Sequence, residues 1–210
     1  MKILLLDKNH PLITEQLLSK NFILEEDFTS SYQEICSKIQ NYDGVIIRSR
    51  IPLDKNFLEQ GKNLKFIARV GAGMETIDIP VAEKLGIKLI NSPEGNRDSV
   101  AEHVVGMLLI LMNRLFIASN QVKNGIWLRE ENRGDELLGK TVGLIGYGNM
   151  GKATAKRLYG FGCNVIFHDI LPNLSDEFAT QGSLEELKEN AEVLSLHIPL
   201  NEETNYLIDE

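Results

Sequence analysis

Cysteine is scarce in this chain: Cys36 and Cys163 are the only two in 210 residues, and they share no C-x-x-C spacing. Such usage excludes a disulfide framework and offers no thiolate metal site, so no metal is expected. Long hydrophobic runs are also missing. The longest, Val104 to Met112, is about half the ~20 residues that span a bilayer. The start, Met1 to Asp7, is too short for a signal h-region and is cut by an acid. Both thiols therefore read as buried and reduced, in a cytoplasmic protein with no membrane association. Positive charge is in deficit, with 22 Lys and Arg against 30 Asp and Glu, a net charge of −8 and a pI near 5.1. That balance argues against nucleic acid and anionic membranes as partners. It leaves room for a small anionic substrate, because a few arginines in a cleft outweigh the global sign. Internal repeats and low-complexity tracts are absent.

What is present is an ordinary globular composition, 43% hydrophobic and 25% charged. Residues 1–92 alternate short apolar runs with amphipathic segments. The runs are Ile3–Leu6, Phe22–Leu24, Gly44–Ile47, Leu64–Ala68 and Ile87–Ile90. Helices are predicted near 12–20, 31–40, 54–61 and 78–85, with Pro11 and Pro80 in first turns and Asp78 as a cap. Buried strands separated by helices predict a five-stranded parallel sheet covered on both faces. A breaker-rich link, 93–98, ends this first domain, 1–98. One long helix is then expected over 99–122, opened by a Ser99/Glu102 capping box. Its apolar stripe of Val100, Val104, Leu108, Leu111 and Leu115, widened by Met107 and Ile110, reads as buried in a core or against another subunit. A second α/β domain within 99–210 has strands at 141–145, 164–168 and 193–197 and helices at 149–161 and 184–190.

The most informative segment is Gly146-Tyr147-Gly148-Asn149-Met150-Gly151, directly behind the apolar run 141–145. Gly146 permits a tight turn, Gly148 lets the backbone approach a pyrophosphate, and Gly151 lets the helix lie close on the strand. Unpaired amides and the positive dipole end at the helix start would face the phosphates. Asp169, 23 residues after Gly146 at the end of the next apolar run, is placed for adenosine ribose hydroxyls. An acid there, with no cation in 170–174, points to NAD rather than NADP.

Together with this fingerprint, Arg48-Ser49-Arg50, Arg69-Val70-Gly71-Ala72-Gly73, Asn91-Ser92-Pro93, Ser99 to His103, Gly125-Ile126-Trp127 and Leu194 to Leu200 resemble the D-isomer-specific 2-hydroxyacid dehydrogenases, most closely their bacterial D-3-phosphoglycerate dehydrogenase branch. The resemblance implies a flavodoxin-like parallel-sheet domain that binds substrate, followed by a Rossmann-type domain that binds NAD, here only its first half. It implies dimerisation through the helix 99–122. The amides around Val70, Gly71, Ala72 and Gly73 would hold the substrate carboxylate as an anion nest. Arg48 and Arg50, flanking Ser49, would neutralise a second anionic group. Asn96, Ser99, His197 and Pro199 would line the cofactor. In the family, an arginine, a glutamate and a histidine carry the chemistry, and the resemblance puts their counterparts beyond Glu210. His10, His103, His168 and His197 are therefore not assigned that role, and residues 1–210 alone would be inactive. The implied reaction is hydride transfer between a nicotinamide and a D-2-hydroxy acid, 3-phosphoglycerate foremost, in serine biosynthesis. Two alternatives remain: a glyoxylate or hydroxypyruvate reductase of the same family, and a non-catalytic NAD-binding or dimerising fragment. With strands 141–145, 164–168 and 193–197 taken as the first three of a 3-2-1-4-5-6 sheet, the strand 141–145 would be an exposed edge.

Overall fold

Ile3, Leu4, Leu5 and Leu6 are all solvent-free, and their alternation sorts them onto two faces. Leu4 and Leu6 join Val45, Ile47, Ile35 and Phe57 in one core. Ile3 and Leu5 join Ile46, Ile13 and Leu17 in another. A strand apolar on both faces needs cover on both, which is the parallel-sheet solution. In the computed structural model, which describes residues 1–208, strands β1 (Lys2–Leu5), β2 (Ile23–Glu26), β3 (Gly44–Ile47), β4 (Phe66–Arg69) and β5 (Lys88–Ile90) form one sheet. Its order is β2-β1-β3-β4-β5, with every pair parallel. This is the flavodoxin-like order expected from the sequence. Helices α1 (Pro11–Ser19), α2 (Tyr32–Lys38), α3 (Lys55–Gln60) and α4 (Ile79–Lys84) make the crossovers. Asp78 caps α4 by accepting from the Val81 amide, as its type and position predict.

The chain divides into two units between Gly95 and Asn96. In the second unit the predicted long helix is two helices. The first, α5, runs Arg97–Met112, and α6 runs Leu115–Lys123, with a bend of 62° between them. Arg114 takes a left-handed conformation, φ 52°. The returning chain takes up groups freed at the break: the Asp135 amide donates to the Met112 carbonyl, and Arg114 Nη1 donates to the Glu131 carbonyl. The apolar periodicity runs across the break and so conceals it. The expected Ser99/Glu102 capping box is also absent. The helix starts two residues earlier with Asn96 at its N-cap, and Glu102 instead pairs with Arg157 at 3.0 Å. Asp98 takes the same guanidinium at 3.1 Å, so one turn of α5 clasps α7 (Asn149–Gly160). Beneath that clasp, Val105 and Leu108 of α5 and Ala155 and Leu158 of α7 share a core. No single helix among the described residues is long and apolar enough to cross a membrane.

The second sheet contains β6 (Thr141–Ile145), β7 (Asn164–His168), β8 (Thr180–Gln181) and β9 (Val193–Leu196), with α8 (Leu184–Asn190) before β9. Its order is β8-β7-β6-β9. This corrects the sequence assignment. The strand at 193–196 is not the third of the fold but the fourth, paired to β6 on the side away from β7. The third is the two-residue β8, whose Thr-Gln pair has no apolar signature. β6 is therefore interior, not an exposed edge, and the crevice where the strand order reverses lies within the described residues.

Candidate functional site

At the end of β6 the chain must turn at once into α7. Gly146 does so at φ 94°, with its amide donating to the His168 carbonyl at 2.8 Å. A Cβ there would lie 2.6 Å from the His197 carbonyl oxygen. A Cβ on Gly151 would lie 2.3 Å from the Gly146 carbonyl oxygen, so this glycine seats the helix against the turn. Gly148 is different: a Cβ there would meet nothing within 4 Å. Its bare Cα opens onto empty space at the N-cap of α7. The amides of Asn149, Met150 and Gly151 donate to no described residue, which leaves the positive end of α7 free.

Asp169 is built into this turn. One carboxylate oxygen accepts the Tyr147 amide at 2.6 Å, and the other accepts the Leu171 amide at 2.9 Å. Tyr147 is itself immobilised. Its ring is solvent-free, stacks on Phe167 at 3.7 Å between centroids, and donates its hydroxyl to Asp176. Burial and that carboxylate push the phenol upward, so it stays a donor.

A cleft of about 380 Å³ lies over the strand ends, lined by Gly146, Gly148, Asp169, Ile170, Leu171, His197, Ile198 and Pro199 among others. It sits where β6 and β9 part, at the reversal of strand order, which is where open α/β sheets take their ligands. Of the residues expected at the cofactor, Gly146, Gly148, Asp169, His197 and Pro199 are brought together there. Asn149, Met150 and Gly151 form the adjoining first turn of α7, while Asn96 and Ser99 lie outside the lining, in the first turn of α5. The His197 amide donates to the Ile145 carbonyl at 2.7 Å. Its Nε2 lies 3.0 Å from Ser195 Oγ, and burial lowers its pKa. It is a neutral wall group at neutral pH. Among the described residues no histidine pairs with a carboxylate.

In the first unit, the loop after β4 is the segment read from the sequence as an anion nest. The Val70 amide is already committed to the Ile47 carbonyl at 2.8 Å, and the Gly71 amide to the Arg69 carbonyl at 3.0 Å. The donors left open are therefore Ala72 and Gly73, not all four. The loop is pinned from the end of β5, where Asn91 Nδ2 donates to the Ala72 carbonyl and the Ser92 amide to the Gly71 carbonyl. This accounts physically for the Asn91-Ser92 pair.

The two arginines after β3 behave differently, which also corrects the sequence expectation. The Arg48 side chain is exposed and makes no hydrogen bond or ion pair among the described residues. Arg50 is a strut: Nε donates to the Leu6 carbonyl at 2.7 Å, Nη1 to Ser30 at 2.6 Å, and Nη2 to Asp27 at 3.0 Å. Three of its five donors are spent on carbonyls that need them. Nearby, burial alone would raise the Asp27 carboxyl. Hydrogen bonds from Lys38, Ser30 and Thr29 outweigh that and hold it well below the usual carboxylate range. Arg69, which opens the 69–73 motif, was given no role of its own from the sequence. Its Nε donates to the Arg48 carbonyl at 3.0 Å, and its guanidinium lies over Gly71, where a Cβ would come within 2.0 Å of Nη1.

The family description "D-isomer specific 2-hydroxyacid dehydrogenase, catalytic domain" matches residues 3–193. The chain belongs to that family. It is 36% identical over 199 residues to a hydroxypyruvate reductase of Thermotoga maritima, covering 93% of this chain and 64% of that protein. It is 36% identical over 183 residues to a D-3-phosphoglycerate dehydrogenase of Archaeoglobus fulgidus, covering 85% of this chain and 34% of that protein. Among solved structures, a glyoxylate reductase from Paecilomyes thermophila superposes with a TM-score of 0.88 at 25% identity, over 99% of this chain and 68% of that one. The chain thus spans less than two thirds of the length of these two sequence relatives.

Proposed function

We propose that this chain binds NAD(H) in the cleft of its second unit and a D-2-hydroxy acid anion at the 70–73 loop of its first, as part of an NAD-dependent oxidoreductase of the cytoplasm. The observation that carries this reading is the combination at the β6 end. A glycine with open space where its Cβ would point and a fixed acid line one cleft, and the three free helix-start amides adjoin it. The fit to a dinucleotide follows from the donor set: amides and a helix dipole for phosphates, a carboxylate for ribose hydroxyls. When bound, the nicotinamide supplies the hydride acceptor or donor. The protein's own part is to bind and orient. The Ala72 and Gly73 amides hold the substrate carboxylate, and Arg48 offers a cation for a distal anionic group. Buried, unbridged Cys36 and Cys163 support a reducing compartment.

For substrate, 3-phosphoglycerate in serine biosynthesis is the first reading, supported by the exposed Arg48 cation and the D-3-phosphoglycerate dehydrogenase relative. Hydroxypyruvate or glyoxylate is the second. It is favoured by the structural use of Arg50, which leaves one arginine of the pair free. Calorimetric titration with NAD and NADP tests the cofactor assignment, with NAD at least tenfold tighter as the expected result; equal affinity for the two overturns it. Calorimetric titration of 3-phosphoglycerate, D-glycerate and glycolate into the NADH-saturated protein then ranks the substrates.

A homodimer is also proposed, through α5, α6 and the segment that follows. Leu111, Phe116 and Trp127 are 74%, 72% and 77% exposed, and Met107, Ile110 and Ile117 add to the same apolar set. Such an area on a soluble protein calls for a partner. Light scattering is expected to show a dimer for the native chain and a monomer for Phe116→Glu with Leu111→Glu. A monomeric native protein refutes this assembly.

A further inference from the structure

The connection from β7 to β8 carries no helix; Leu174, Phe178 and Ala179 pack its second limb on the core, but its first limb is poorly anchored by burial, with Ile170 90% exposed and Leu171 59%. Yet this stretch forms one rim of the cleft and holds Asp169 in place through the Leu171 amide. Besides Asp176, which accepts the Tyr147 hydroxyl, and Ser175, which accepts the Gln181 amide, one side chain from the edge strand ties it. Gln181 Nε2 donates to the Leu171 carbonyl at 2.7 Å, with a longer approach of 3.5 Å to the Asp169 carbonyl. Gln181 Oε1 accepts the Leu174 amide at 3.0 Å. A primary amide carries its donor and its acceptor on two separate atoms, so it spans both limbs of the loop at once. Asn173, between those limbs, is held at φ 60°, a conformation that such a tie sustains.

We infer that Gln181 is a positioning residue for dinucleotide selection: its bridge between the Leu171 carbonyl and the Leu174 amide holds Asp169 where it accepts ribose hydroxyls and repels a 2′-phosphate. The inference rests on the proposed NAD site. Without the bridge, Asp169 keeps its Tyr147 amide but loses a fixed Leu171 amide, and its carboxylate swings. Ribose hydrogen bonds weaken, and the barrier to a 2′-phosphate falls with them.

The test measures dissociation constants for NADH and NADPH by calorimetry or fluorescence, on native protein, Gln181→Met, Gln181→Glu and Asp169→Ala. Methionine keeps the length and removes both hydrogen bonds. Glutamate keeps the acceptor and places a charge against the two carbonyls, so it serves if the methionine variant does not fold. The NADH-over-NADPH preference is expected to fall about three- to tenfold in either variant, the size of one or two lost hydrogen bonds, and further in Asp169→Ala. A purely structural role for Gln181 lowers the melting temperature but leaves that ratio intact. A ratio unchanged within twofold in the Gln181 variants, with Asp169→Ala altered, overturns the inference and leaves the NAD reading standing. A ratio unchanged in Asp169→Ala as well overturns both.

Discussion

Gly148→Val is expected to abolish dinucleotide binding while leaving the protein folded, and Gly151→Val is expected to do damage of the opposite kind. The two glycines sit three residues apart in one motif, but their surroundings differ. The Cβ position of Gly148 faces open space. Valine there meets no protein atom at its Cβ and costs at most about 1 kcal/mol, for a poorer N-cap. The branched side chain instead fills the space through which a pyrophosphate reaches the first amides of α7. Since each charge-assisted hydrogen bond is worth ~1.5–3 kcal/mol, losing two or three means a fall in affinity of roughly a hundredfold or more. At Gly151 a Cβ would sit 2.3 Å from a backbone oxygen, which no rotamer relieves. The helix must lift off the turn, at a cost on the order of 3 kcal/mol or more in stability. Thermal denaturation and calorimetric titration, run on both variants, separate the effects. A Gly148→Val protein with native melting temperature and native affinity for NADH would remove the pyrophosphate from this turn.

The second large effect is expected at Arg50. Replacing it with alanine strips donors from the carbonyls of Leu6, Ser30 and Asp27. It also removes the tie between β1, the 27–31 turn and the segment after β3. At about 1–2 kcal/mol for each partly buried acceptor left without its charged donor, Arg50→Ala should cost on the order of 3–5 kcal/mol, a large share of a small domain's stability. Arg50→Lys should recover little, because one ammonium does not reproduce a planar fork reaching three carbonyls. Arg48→Ala should leave the melting temperature within a degree or two. Its effect belongs to the ligand: weaker binding of a phosphorylated substrate, with less change for a non-phosphorylated one. Urea unfolding of both variants decides the first point. An Arg50→Ala protein of native stability would return that residue to the anion site. Equal losses for both substrate types in Arg48→Ala would take the phosphate away from Arg48.

The glycine turn after β6 was legible because its requirements are local. A tight turn, a close backbone approach and a helix seated on a strand each demand glycine, and the spacing fixes which glycine does which. The first sheet was legible for a similar reason. Runs such as Ile3–Leu6 and Gly44–Ile47, apolar at every position, are stable only as strands covered on both faces, and helix-forming segments between them impose parallel crossovers. Asp78 as a cap depends on residues three apart and so is also written locally; the Ser183/Glu186 capping box of α8 is of the same local kind.

What the tertiary structure decided depends on contacts between distant residues. The bend at Arg114 is invisible in the periodicity, because the apolar stripe continues through it while the returning chain at 131–135 takes up the freed groups. The third strand, Thr180–Gln181, is two polar residues long and exists only because β7 offers it an edge. Without it the strand count, and with it the place of 193–196 in the sheet, was misread. The roles of Arg48 and Arg50 could not be told apart in sequence, since both are arginines beside one strand end. Only the arrival of the Leu6, Ser30 and Asp27 carbonyls at one guanidinium makes Arg50 a strut. The amide of Gln181 gains its meaning in the same way, from two backbone groups brought to either side of it by a loop that carries no pattern of its own. Sequence determines what each residue needs nearby; which distant groups meet that need is settled when the chain closes on itself.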